Sequence, residues 1–138
     1  MKLDKINGNT YYIKAATNIG VYTYKNKNSM LIDTGYNNSQ ARKIDVVLQE
    51  NRLHPKFIIN THSHLDHMGG NHYFKENYPG VLIYVSEREG LCMEYPEISE
   101  LAVLSALPVN SLEKSIKLIG ADYILSYGIN KISDEYAF

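Results

Sequence analysis

The sequence lacks the features that mark several whole classes of protein. No apolar run approaches the roughly 18 residues needed to cross a bilayer, and the opening MKLDKINGNTYYIK has no apolar core of the signal-peptide kind. A single cysteine, Cys92, cannot form an internal disulfide, which suits a reducing compartment. Charge of neither sign dominates: 14 Lys and Arg stand against 15 Asp and Glu, for a formal net charge of -1. Such a chain has no broad basic field to hold phosphate backbones, which argues against nucleic-acid binding as its main task. No repeat, linker or low-complexity segment interrupts it. With 138 residues, 44% of them hydrophobic and 21% charged, the expectation is one ordinary globular domain over 1–138. It is expected to be soluble and cytoplasmic, with no membrane or nucleic-acid partner.

What is present alternates strand and helix signals. Residues 10–15 and 19–25 are rich in Tyr, Ile, Val and Thr, which suit a pleated, half-buried surface. In the second run Val21 and Thr23 share one face, Tyr22 and Tyr24 the other. Asn7-Gly8 and Lys25 to Asn28 read as turns. Met30-Leu31-Ile32 is a short buried strand that delivers Asp33-Thr34-Gly35 at its end. Over 39–52 the spacing becomes helical: Ala41, Ile44, Val47 and Leu48 form one stripe, with Asn37, Asn38 and Ser39 as capping groups. Phe57-Ile58-Ile59 is again a buried strand and runs directly into Asn60 to His67. A helix over 71–78 is stopped by Pro79-Gly80, and 81–85 is a further strand. The fold class is therefore α/β (α+β): N-terminal antiparallel hairpins followed by β-α-β units with a parallel pair. Helices over 98–107 and 111–119 and strands over 121–127 and 129–132 are expected beyond that.

Three of the chain's five histidines fall between positions 62 and 67, together with Asp66. Imidazole nitrogen and carboxylate oxygen are the donors that zinc takes. His62 and His64 are two apart, so an extended backbone points both rings to the same side, where they can grip one ion. Asp66 and His67 follow the turn and can face a second ion. The strand before them gives the loop a rigid base, and Gly69-Gly70 lets the backbone turn tightly beneath it.

The string Thr61-His62-Ser63-His64-Leu65-Asp66-His67-Met68-Gly69-Gly70-Asn71 resembles the hallmark of the metallo-β-lactamase superfamily, and Leu31-Ile32-Asp33-Thr34-Gly35 resembles its earlier strand-end aspartate. The likeness covers 1–86, most fully from about residue 8, and leaves 87–138 unassigned. It implies half of an αβ/βα sandwich. It also implies up to two zinc ions, with iron or manganese as alternatives: His62 and His64 on the first, Asp66 and His67 on the second, and Asp33 steadying the loop. The implied activity is that of a metal-dependent hydrolase. Metal lowers the pKa of water to about 7, and the resulting hydroxide, oriented by the catalytic Asp66, attacks an ester, amide, thioester or phosphodiester of an unknown small molecule.

The family's later ligands are missing: no histidine follows His72, and Gly120-Ala121-Asp122 matches the bridging-aspartate strand only superficially. Two donors per ion fall short of the three usual at a catalytic zinc. The chain is therefore expected to be incomplete, to act as a homodimer or to need a C-terminal half. The alternative is a non-catalytic remnant or interaction module with weak or no metal binding. Other features are given plain roles. His72 is placed on the outer face of its helix and His54 at the surface. Cys92 is a partly buried small residue, and the tyrosines of the first strands pack the sheet. Glu94, Glu97 and Glu100 form a solvated stretch. Ser111-Leu112-Glu113-Lys114 matches a short serine acyl-enzyme pattern whose companion motifs are absent.

Overall fold

Among the described residues each strand pairs with its neighbour in sequence, in one seven-stranded sheet ordered β1 to β7. The computed structural model describes residues 1–95, 120–131 and 136. β1 (Leu3–Asn7) and β2 (Thr10–Ile13) form a hairpin in which Gly8 takes φ +50°, the left-handed conformation an Asn-Gly pair provides. β3 (Ile19–Thr23) and β4 (Asn28–Ile32) continue the antiparallel part, joined through a 3-10 turn over Lys25–Lys27.

Beyond β4 the connections lengthen and the pairing turns parallel, since a tight turn cannot join parallel strands. α1 (Asn38–Glu50) leads to β5 (His54–Ile59), which lies parallel to β4. α2 (Leu65–Met68) and α3 (Asn71–Asn77) lead to β6 (Leu82–Ser86), parallel to β5. α4 (Glu87–Glu94) follows, and β7 (Tyr123–Leu125) pairs parallel with β6. The strand expected over 121–127 is thus only three residues long. At its entry the Asp122 carboxylate, rather than a main-chain carbonyl, accepts the Ile83 N–H. Ile129 and Asn130 lie in no strand. The helices expected over 98–107 and 111–119, with Ser111 and Lys114, and the residues Glu97 and Glu100 lie outside the described residues.

The period of two splits the sheet into two faces. Ile13, Ile19, Val21, Leu31, Ile58 and Ile83 point to the side covered by α1 and α3, where they meet Ala41, Ile44, Val47, Leu48 and Phe74. α1 starts where expected: the Asn37 side chain accepts from the Gln40 N–H at 3.0 Å. The opposite face is aromatic. Met30, Phe57 and Tyr84 bury Tyr136 among them, with Tyr22 and Tyr24 alongside. The Tyr136 ring stands edge-on to Tyr24 at 4.9 Å and to Phe57 at 5.0 Å.

One buried carboxylate ties the two covering helices together. Asp45 of α1, 3% exposed, accepts from the hydroxyls of Tyr73 and Tyr78 and from Gln49 Nε2. Losing it strands two phenols in an apolar layer, so Asp45→Ala should cost about 2 kcal/mol in urea unfolding. Burial first, and then the Asp45 hydrogen bond, push the Tyr78 phenol up to about 12. A folded-state pKa above the unfolded one gives stability that is complete below about pH 10 and disappears as pH rises through the folded value. Denaturation at stepped pH should therefore show a decline between about pH 10 and 12, and the decline should be shallower in Tyr78→Phe.

Candidate functional site

The carboxyl ends of the three central parallel strands meet at one edge of the sheet, where ligand-binding sites of open α/β sheets are built. β4 ends in Asp33. β5 runs on into Asn60 to His64. β6 hands the chain to α4, whose first turn carries Glu89. Asp33, the histidines, Asp66 and Glu89 all hang from one of these ends or from the short helices that follow them.

Asp33 is the hub. It is 4% exposed and takes φ +67°, a left-handed conformation that Asp tolerates better than most residues. Its Oδ1 accepts the Thr61 N–H at 2.8 Å. Its Oδ2 accepts the Thr61 hydroxyl at 2.8 Å and lies 2.7 Å from His67 Nδ1. A carboxylate only accepts, so Nδ1 of His67 carries the proton and Nε2 points away from Asp33. The Thr61 hydroxyl spends its proton on Asp33 and is 3.0 Å from His62 Nδ1, so it accepts there. Asp33 thereby sets the ring of His67 directly and that of His62 through Thr61, leaving Nε2 of both as the outward donor.

The rings gather around His62. Its centroid is 4.6 Å from that of His64 and 4.0 Å from that of His67. His67 Nε2 is 3.3 Å from Asp66 Oδ2, and the Asp66 side chain is 48% exposed. An unprotonated Nε2 and a carboxylate at that distance repel, so the pair calls for a cation between them, a proton or a metal ion. The Asp66 carbonyl is held by the Thr17 hydroxyl at 2.6 Å, which pins the start of α2 to the β2–β3 loop. By donor chemistry these residues fit a divalent metal. Among the described residues, however, no group of three or more His, Cys, Asp or Glu side chains is arranged to hold one ion. The edge supplies part of a shell.

Behind the rings lies a layer that sequence reasoning missed. Ser63, buried between His62 and His64 in sequence, gives both its N–H and its hydroxyl to Glu89 Oε2, each at 2.8 Å. Burial pushes the Glu89 carboxyl up. The two Ser63 bonds and the nearby His62 and Arg88 outweigh it, and the group titrates below its ordinary value. Asn60 and Asn71, each 2% exposed, bond to each other at 2.7 Å, and the Thr34 hydroxyl reaches Asn71 Oδ1 at 2.8 Å. The Thr34 N–H and Asn60 Nδ2 both reach the His67 carbonyl. No local pattern announces such long-range bonds. The only available signal was the chemistry of Asn60 and Asn71 flanking the histidine string.

The family model of the metallo-beta-lactamase superfamily matches residues 12–131, well over half of the chain. The chain belongs to that superfamily. A hydroxyacylglutathione hydrolase of Prochlorococcus marinus is 34% identical over 95 residues, covering 69% of this chain and 36% of the relative. One of Pelagibacter ubique is 38% identical over 64 residues, covering 46% and 25%. The chain thus spans about a third or less of the length of these curated relatives. The DIM-1 metallo-beta-lactamase crystal structure superposes with a TM-score of 0.65 over 97% of this chain and 55% of that one, at 14% identity, a likeness of fold.

Four further readings of the sequence meet the structure. Asp122 does not face the histidines: it grips Lys75 Nζ at 2.6 Å and the Ile83 N–H, a bond set that knits β7 to α3 and β6. His72 is not on an outer face. Its side chain is 13% exposed, Nε2 lies 3.4 Å from Glu76, and Nδ1 is buried without a hydrogen-bond partner among the described residues. His54 is exposed, edge-on to Tyr78. Gly69 and Gly70 take ordinary negative φ, −61° and −89°. Space, rather than turn freedom, explains them: a Cβ on Gly69 would sit 1.8 Å from the Tyr36 carbonyl oxygen, and one on Gly70 would sit 2.3 Å from that of Thr34. Gly69→Ala should therefore force α2 away from the 34–36 loop and destabilise the fold by about 3 kcal/mol or more, read as a lowered urea midpoint.

Proposed function

We propose that this chain is the first, metal-binding half of a hydrolase that cleaves the thioester of a hydroxyacylglutathione-type substrate. The observation that supports this most is the meeting of three imidazoles and one carboxylate at the carboxyl edge of the parallel strands. The substrate class rests on the similarity to hydroxyacylglutathione hydrolases. His62 and His64 would hold one ion, and Asp66 and His67 a second. Zinc is expected, with iron or manganese compatible with the same donors. When bound, the ion supplies positive charge that acidifies water and polarises the attacked carbonyl. The chain's own residues position and relay. Asp33 orients His67 and, through Thr61, His62. Asp66, half exposed beside His67, would orient a water molecule and take its proton.

Two protein donors per ion leave the shell incomplete. On this reading a second copy of the chain in a homodimer, or a separate C-terminal half, supplies the rest. A second reading, a non-catalytic module that keeps the first half of the fold, is favoured by the lack of a three-donor group among the described residues.

Metal analysis separates the two. Purified without chelator, the wild-type chain should carry about one to two ions per site, and His62→Ala/His64→Ala should carry far less. Hydroxyacylglutathione hydrolysis should follow the metal. A metal-free wild type, with a melting temperature unmoved by the double substitution, would support the module instead.

A further inference from the structure

We propose that Glu89 is a positioning residue for the His62–His64 pair, acting through Ser63. The inference deepens the metal-binding reading above and rests on it for its chemical purpose. The chain bends over 61–63 after β5 has ended, so strand alternation does not hold these side chains and their own contacts must. The two imidazoles stand edge-on to each other, 4.6 Å apart. Ser63 is the residue between them, and both its donors run to the back, to a single carboxylate oxygen of α4 at 2.8 Å. Fixing the main-chain N–H and the side chain of the middle residue removes the rotation by which the two rings would part.

The ends of the stretch are held elsewhere, the His64 carbonyl by the His67 and Met68 N–H groups, and the printed bonds of Ser63 itself run to Glu89. Asp33 anchors Thr61 on one side and His67 on the other, but neither His64 nor Ser63 touches it. α4 itself is well founded. It follows β6 directly, and Met93 packs with Val85 and Met68 in a small apolar cluster. The Glu89 side chain therefore projects from a helix seated on β6 and on Met68 of α2, outside the 61–64 stretch it holds. Being charged, the acceptor makes stronger bonds than a neutral amide would. Partners of this kind around metal ligands typically change metal affinity 10- to 100-fold.

The test uses the full chain, first without metal. The ring contact between His62 and His64 should appear as a proton–proton Overhauser effect in the wild type, with the Ser63 amide slow to exchange. In Glu89→Ala, checked for folding by circular dichroism, both should be lost. Glu89→Gln should keep a weakened form of each, and Ser63→Ala, which removes only the hydroxyl bond, should fall between. Zinc competition against a chromophoric chelator should then show about ten-fold weaker binding in Glu89→Ala and a smaller loss in Glu89→Gln. An unchanged ring contact in folded Glu89→Ala, or equal and measurable zinc affinity in wild type and Glu89→Ala, overturns the proposal. A wild type that binds no zinc would sink the hydrolase reading, and the ring contact would then decide the role of Glu89 by itself.

Discussion

The carboxylate of Asp33 is the constraint on which the whole edge rests. It sits buried at the end of β4 in a left-handed conformation. Such strain costs about 1–3 kcal/mol, and leaving the charge unpaired would cost more. Three donors meet it: the Thr61 amide, the Thr61 hydroxyl and His67 Nδ1. Charge-assisted hydrogen bonds contribute about 1.5–3 kcal/mol each, so together they outweigh the strain. The same three bonds join the end of β4, the loop after β5 and helix α2 into one unit. Without them the rings of His62 and His67 would lose their common anchor, and only main-chain ties such as those of Thr34 and Asn60 to the His67 carbonyl would remain on that side.

The sheet makes that unit possible. Antiparallel strands run alternately up and down and scatter their ends. The parallel arrangement of β4, β5 and β6 brings three carboxyl ends to one edge. The hairpins β1 to β3 extend the sheet, and through Thr17 they also brace the carbonyl of Asp66. On one face α1 and α3 are fastened by Asp45 and the tyrosines that bond to it, so the layer behind the site is rigid. The two glycines after the histidine string complete the close approach: nothing bulkier fits between α2 and the 34–36 loop.

Much of this was legible in the chain. The hairpin at Gly8, the stripe of α1 with its Asn37 cap, the strand-end position of Asp33 and the strand leading into the histidines all follow from local patterns of periodicity and turn chemistry. So does the change from antiparallel to parallel pairing, because linker length dictates it. The back layer was not legible. Glu89 reaches Ser63 across 26 positions, and Thr34 reaches Asn71 across 37. Bonds between remote side chains leave no period or spacing to read. Asp122, whose likeness to a bridging aspartate was superficial in the sequence, has its carboxylate committed to Lys75 and the Ile83 amide, bonds that the sequence does not announce. For Gly69 and Gly70 the residues were noticed for the wrong reason, since crowding by a distant backbone cannot be seen in a string.

The order of the sheet, β1 to β7 without a permutation, carries a consequence for assembly. As synthesis proceeds, each described strand after the first finds its partner already in place. Loop-closure entropy stays small at each addition, which favours rapid nucleation and limits the time during which sticky edges meet other polypeptides. The histidine edge, completed when α4 docks behind it, would then become ordered after β6 is in place and before β7 is added.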